Sequence, residues 1–239
     1  MYRLVAMDLD DTLLTDELTV TEATLRALEE AAALGVRLTV ATGRSYRSAK
    51  RIAGRIGLNV PLITYQGSLV KDPRDGTVLY ERFVPRETAR RVYDFCAARG
   101  LHLQTYIDDW LYAFEENDKL KAYAALSDIP YTVVPGFKDL PEGNHTKLII
   151  IGEPEELDRL APELRELAGP EMHVTKSKAT FLEVLHREGT KGDALQFLAA
   201  YYGIPMEETV AIGDAWNDWE MIQAAGLGVA MANAVPALK

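Results

Sequence analysis

A short apolar run, Leu4-Val5-Ala6-Met7, delivers the chain directly into Asp8-Leu9-Asp10-Asp11-Thr12. A run of that length reads as a buried strand, so the carboxylates fall where the strand ends. Side chains alternate along an extended segment, which turns Asp8 and Asp10 the same way and crowds like charges unless a cation or a shared proton relieves them. A divalent metal is the natural candidate. Taken alone, an Asp-x-Asp pair is more often a strand running into an acidic turn, and the rest of the chain has to decide.

The first third continues as alternating strand-like and helix-like segments: a helix over 21–34, a strand at 36–41, a helix over 45–57 and a strand at 61–65. Repeated units of this kind imply a parallel sheet covered by helices. After Gly67 the pattern changes to a hairpin, Leu69-Val70-Lys71 and Thr77-Val78-Leu79-Tyr80, joined by the turn-forming Asp72-Pro73-Arg74-Asp75-Gly76. Residues 83–187 then mix helices near 86–99, 117–127 and 154–168 with a hairpin through 103–107 and 111–114 and strands at 147–151, 173–175 and 181–185. That mixture predicts an α+β insert. From Thr190 the strand–helix alternation resumes, with a helix at 191–203, a strand at 209–212, a helix at 217–225 and a strand at 228–231. The expected architecture is α/β: a discontinuous core of residues 1–82 and 188–239, interrupted by a domain spanning 83–187.

Composition narrows the function. With 239 residues, 48% of them hydrophobic, the chain can bury a substantial core. Its net charge of -10 and the lack of a basic stripe disfavour a nucleic-acid partner, since such surfaces need rows of Lys and Arg. The densest basic set, Arg44, Arg47, Lys50, Arg51 and Arg55, lies on one predicted helix and reads as a solvated face. No signal peptide precedes the first strand and no apolar run spans a bilayer, so neither export nor a membrane is expected. The one cysteine, Cys96, sits in an amphipathic pattern as core filler, which fits a cytoplasmic protein. A monomer is the default, with a weak homodimer left open, because no heptad pattern demands a partner.

In an open α/β sheet, ligands bind beyond the carboxyl ends of the strands. Four polar segments occupy such positions. Beside Asp8–Thr12 there is Thr42-Gly43-Arg44-Ser45, where a hydroxyl and free N–H groups at a helix start could receive a phosphate, or Thr42 or Ser45 could simply cap the helix. Gly189-Thr190-Lys191-Gly192-Asp193 offers a cation flanked by glycines, which could equally be solvated. In Gly213-Asp214-Ala215-Trp216-Asn217-Asp218, Asp214 and Asp218 are spaced as neighbours on a helical turn and could approach a metal at Asp8, or could cap a helix. Each plain alternative is credible singly. All four together, in order and at strand ends, make a poor coincidence.

With these motifs assembled, the chain resembles the phosphatases of the haloacid dehalogenase superfamily, specifically the Cof-like group with a type IIB cap. The ending Gly228-Val229-Ala230-Met231-Ala232-Asn233-Ala234 adds to the likeness, which covers essentially the whole chain. The resemblance implies a Rossmann-like core with a parallel sheet, an inserted α+β cap, and Mg²⁺ as cofactor. It assigns Asp8 as nucleophile, forming an aspartyl-phosphate, and Asp10 as general acid and then base. Mg²⁺ would be held by the Asp8 carboxylate, the Asp10 main-chain carbonyl and Asp214, with Asp218 holding a metal-bound water. Thr42, Gly43, Lys191 and Asn217 would secure the phosphoryl oxygens. Arg44 is placed at the mouth of the site, against either substrate or an acidic partner.

The implied activity is Mg²⁺-dependent hydrolysis of a small phosphate ester, a sugar phosphate first, with a phosphomutase or a non-catalytic phosphometabolite-binding module as alternatives. Cap candidates for contact with the leaving group are Tyr106, Asp108, Asp109, Trp110, Lys147, Thr175, Lys178 and His186. Three features depart from the pattern. Tyr65-Gln66-Gly67 stands where many relatives have Asn-Gly, Trp216 is bulky for its motif and either narrows the site or packs with Trp219, and relatives continue past Ala237-Leu238-Lys239 through a short strand and helix. Asp11 is expected to be a solvated turn residue.

Overall fold

The computed structural model describes residues 1–58 and 60–239. In chain order the elements are β1 (Leu4–Met7), α1 (Glu22–Ala33), β2 (Arg37–Val40), α2 (Tyr46–Arg55), β3 (Leu62–Thr64), β4 (Leu69–Lys71), β5 (Val78–Glu81), α3 (Arg86–Ala97), β6 (His102–Ile107), β7 (Trp110–Ala113), α4 (Asp118–Ser127), β8 (Tyr131–Val133), β9 (His145–Ile151), α5 (Pro154–Ala168), β10 (Met172–Lys178), β11 (Phe181–His186), α6 (Lys191–Tyr201), β12 (Thr209–Gly213), α7 (Trp219–Ala224) and β13 (Leu227–Ala230). Two compact units divide them, residues 1–81 with 190–239, and residues 82–189.

The first unit is built on a parallel sheet in the order β13-β12-β1-β2. A parallel bridge from Ala41 to Ile63 extends it toward β3, which in turn opens an antiparallel sheet with β4 and β5. Leu4, Ala6 and Ala211 from the strands, and Leu195, Leu198 and Ala199 from α6, form its core. Helix starts are chemically marked: Thr21, Ser45 and Thr190 accept the backbone N–H three residues on and so cap α1, α2 and α6. Two predicted boundaries move. The strand expected to reach residue 65 stops at Thr64, because Tyr65 and Gln66 turn left-handed with φ of 52° and 63°. The helix expected from 217 begins at Trp219, after a tight turn at Trp216–Asp218.

The second unit is a six-stranded sheet in the order β10-β11-β9-β6-β7-β8, antiparallel except for β7–β8. Leu103, Ile107, Leu148, Ile150, Leu182 and Val184 alternate onto one face, where α3 and α5 cover them with Val92, Cys96, Leu157 and Leu164. Burying each such Leu or Ile contributes about 1.5–3 kcal/mol. Cys96 is indeed core filler, and burial pushes its thiol up to about 12, leaving it inert as a nucleophile. The three-residue β8 was not anticipated, since its largely exposed Tyr-Thr-Val carries no alternating signal.

His145 should make this unit acid-sensitive. Its fully buried ring stacks on Phe137 with 5.7 Å between centroids, and Nδ1 lies 3.0 Å from the Thr105 hydroxyl. Burial first, and the Arg86 charge second, lower its pKa from 6.5 to about 4. Between those values the unfolded chain binds a proton that the folded unit does not. The associated stability is therefore whole above the unfolded pKa and is lost as pH falls toward the folded one, by up to about 3 kcal/mol. Thermal melts between pH 7 and 4 should show a steeper acid loss in the wild type than in His145→Phe; equal slopes would rule His145 out as the cause.

Candidate active site

The strand order of the parallel sheet reverses at β1. From β1 the chain runs outward to β2 and then β3, and after the second unit it returns to β12 on the opposite side of β1. Adjacent strands whose connections diverge leave a crevice at their carboxyl ends. Asp8 follows β1 and Asp214 follows β12, with the Asp8 N–H donating to Ile212 O at 2.9 Å.

Past Met7 the chain leaves the strand. Leu14 N–H closes a wide turn on Leu9 O, Asp10 stays extended, and Asp11 is left-handed at φ 61° and exposed. Simple alternation therefore fails here, and the two acids have different partners. Asp8 is buried and its Oδ1 accepts from Lys191 Nζ at 2.6 Å, whereas Asp10 lies against Arg44.

Lys191, fully buried in the first turn of α6, also donates to Asp218 Oδ1 at 2.6 Å. This overturns the solvated alternative for Lys191. The other oxygen of Asp218 accepts the backbone N–H of Asp214 at 2.9 Å and of Ala215 at 3.0 Å. Asp218 thus ties Lys191 to the loop after β12. Asp214 accepts from the Thr12 hydroxyl at 2.7 Å.

One ammonium faces several carboxylates. Burial pushes Asp8 up to about 7, with the Asp218 and Asp10 charges adding and Lys191 opposing. Burial alone would lower Lys191, but Asp218 and Asp8 together hold it above its ordinary value, so it stays an ammonium. Asp214 is also raised, by burial first, against the Thr12 hydrogen bond. Carboxylate oxygens of Asp8, Asp214 and Asp218 lie within 4.8 Å of one another. An all-oxygen set with excess negative charge fits a hard divalent cation such as Mg²⁺. After the bonds above, Asp8 and Asp214 each keep an oxygen for it.

Thr42 is fully buried, and Ser45, not Thr42, caps α2, so the capping alternative for Thr42 fails. The left-handed turn after β3 is stitched onto this segment: Tyr65 N–H donates to Arg44 O and Gln66 N–H to Thr42 O, both at 3.0 Å. Gly67 holds φ 111°, and a Cβ there would collide with the Thr190 carbonyl, so a side chain would force the turn off the start of α6. Gln66 was visible in the sequence only as a departure. Its Oε1 accepts from Asn217 Nδ2 at 2.8 Å, and its Nε2 lies 2.6 Å from where a Cβ on Gly43 would stand. Asn217 Oδ1 is buried with no hydrogen-bond partner among the described residues. Thr42, Gly43, Gln66 and Asn217 therefore converge through this turn, a link that no spacing rule reveals.

Arg44 reaches Asp10 with a two-pronged pair, Nε to Oδ2 at 2.8 Å and Nη2 to Oδ1 at 2.6 Å. Trp216 and Trp219 are 57% and 47% exposed, so neither serves as core packing.

The cap candidates all lie in the second unit. Tyr106 OH meets Tyr123 OH at 3.1 Å, Lys147 pairs with Glu183 at 2.9 Å in a fully buried ion pair, and Trp110 Nε1 donates to Thr132 Oγ1 at 2.9 Å. Asp108 and Asp109 form the left-handed turn between β6 and β7, Thr175 and Lys178 lie on β10, and His186 Nδ1 accepts the Glu188 N–H at 3.1 Å.

Residues 5–239 match the family of haloacid dehalogenase-like hydrolases. An HMP-PP phosphatase of Serratia proteamaculans is 35% identical over 240 residues, covering 100% of this chain and 87% of the relative. Among solved structures, a Thermotoga maritima protein superposes with a TM-score of 0.86 at 35% identity, covering 100% of this chain and 89% of that one. A subclass IIB sugar phosphatase of the same superfamily, 22% identical, shares the fold with a TM-score of 0.85, covering 99% of this chain and 90% of that one.

Proposed function

Because the chain belongs to the haloacid dehalogenase-like hydrolases and is a phosphatase of that family, we propose that it hydrolyses a small phosphorylated metabolite with Mg²⁺ bound, through a phosphoaspartyl intermediate on Asp8. The observation that carries the reading is the convergence of Asp8, Lys191, Asp214 and Asp218 where β1 and β12 end side by side.

The Asp8 carboxylate attacks phosphorus while Lys191 holds it in place and offsets charge on the phosphoryl oxygens. Asp10 gives a proton to the departing oxygen and takes one back from the water that cleaves the intermediate. Thr42, Gly43 and Asn217 line the phosphoryl oxygens, and Gln66 orients the Asn217 amide. Mg²⁺, held by the Asp8 and Asp214 carboxylates and the Asp10 carbonyl, would supply the positive charge that makes a phosphate dianion approachable by a carboxylate. Asp218 keeps Lys191 and the Asp214 loop in register. We take the protein to act as a cytoplasmic monomer; no helix among the described residues is long and apolar enough to cross a membrane.

A sugar phosphate is the first substrate class. The relatives named HMP-PP phosphatase favour a second reading, in which HMP-PP itself is hydrolysed. Phosphate release from a panel of sugar phosphates, p-nitrophenyl phosphate and HMP-PP decides. We expect turnover in Mg²⁺ and a loss of about a hundredfold or more in EDTA, reversed by added Mg²⁺. Inactivity toward every compound in Mg²⁺ would leave a binding module, and interconversion of sugar phosphates without phosphate release would leave a mutase.

A further inference from the structure

We propose that Arg44 is a positioning residue, whose guanidinium fork sets the plane of the Asp10 carboxyl group, which gives a proton to the departing oxygen and takes one back from the attacking water; this rests on the acid–base role given to Asp10 above. The pair has both bonds of a fork, Nε to Oδ2 at 2.8 Å and Nη2 to Oδ1 at 2.6 Å. Such pairing fixes the plane of the carboxylate as well as its distance. Asp10 needs that help. Its own loop is extended at Asp10 and left-handed at Asp11, and its side chain is one-third exposed, with Arg44 supplying the two bonds that orient it.

Arg44 is itself anchored. Its N–H donates to Thr42 Oγ1 at 3.1 Å, its carbonyl accepts from Tyr65 at 3.0 Å, and Nη1 donates to Ser48 Oγ at 3.2 Å on α2. Only 9% of its side chain is exposed. The fork therefore starts from the same turn that brings Thr42 and Gln66 together, and it passes that rigidity to a carboxylate that the Asp8 loop does not fix.

In the first step the Asp8 oxygen bonds to phosphorus as the bond from phosphorus to the leaving oxygen breaks, and the Asp10 proton passes to that oxygen. In the second, a water oxygen bonds to phosphorus, the Asp8–phosphorus bond breaks, and the water proton restores Asp10. A misplaced Asp10 harms the first step most when the leaving group is a poor one, because a good leaving group departs without the proton. Substrate binding by Arg44 would show no such dependence.

The test is kcat/KM of the Mg²⁺-loaded full chain on substituted phenyl phosphates, from p-nitrophenyl to unsubstituted phenyl. This parameter covers leaving-group departure but not the later hydrolysis, if formation of the intermediate is irreversible. Arg44→Ala should lose about tenfold on p-nitrophenyl phosphate and about a hundredfold on phenyl phosphate, steepening as Asp10→Asn does, and the double variant should be no worse than Asp10→Asn. Arg44→Lys keeps the charge without the fork and should steepen similarly, which secures the result if Arg44→Ala does not fold. Equal losses on all substrates, or additivity with Asp10→Asn, overturn the inference. A flat Asp10→Asn series overturns instead the acid–base reading on which it rests.

Discussion

Asp8→Asn should lower kcat by about 10⁴-fold or more while leaving the protein folded. The amide is nearly the same size and its oxygen can still accept from Lys191, which also retains Asp218. Asparagine offers no carboxylate to attack phosphorus. The charge it removes is one that burial, first, and the neighbouring Asp218 disfavour, against the pull of Lys191. We therefore expect loss of phosphate release with a melting temperature changed by only a few degrees. Activity within tenfold of wild type would remove Asp8 from the nucleophile role. A collapse in melting temperature would mean that the carboxylate is structural.

Lys191→Met should damage activity and stability together. Methionine matches the length of the buried stem but leaves Asp8 and Asp218 buried without their counter-charge. Breaking a buried ion pair from one side costs about 3–5 kcal/mol. For a chain of this size that corresponds to a fall of roughly 10 °C in the melting temperature of the first unit. Turnover should fall by at least about a hundredfold, since the charge facing the phosphoryl oxygens goes as well. The contrast with Asp8→Asn is the informative measurement: one variant is inert and stable, the other inert and weakened. A Lys191→Met protein that melts like wild type would show that the two carboxylates do not need the ammonium.

Much of the fold was legible because its signals are local. Short apolar runs gave β1, β2 and β12, a capping hydroxyl marked the start of α2, and a change in pattern after Gly67 separated the antiparallel strands from the parallel ones. Boundaries slipped where backbone conformation departs from what residue type suggests, as at Tyr65 and Gln66, both left-handed without being glycine. The short β8 slipped for want of a pattern.

The candidate site divides in the same way. Sequence by itself determined which chemical groups this protein owns and where along the chain they stand: Asp8 and Asp10 after one strand, Thr42 after another, Lys191 at a helix start, Asp214 and Asp218 after a third strand. Periodicity reports such positions because strand ends and helix starts are set by nearby residues. Pairing is different, because partners far apart in sequence meet only through the order of the strands. The return of the chain to the far side of β1 brings Lys191 between Asp8 and Asp218, and the left-handed turn at Tyr65–Gln66 brings Gln66 to Asn217. The wide turn after Met7 sets apart two acids that alternation would have turned the same way, and the fold gives Asp8 to Lys191 and Asp10 to Arg44. Only the tertiary structure decided these partners, because each is a long-range contact set by which strand ends are neighbours, and that no local pattern encodes.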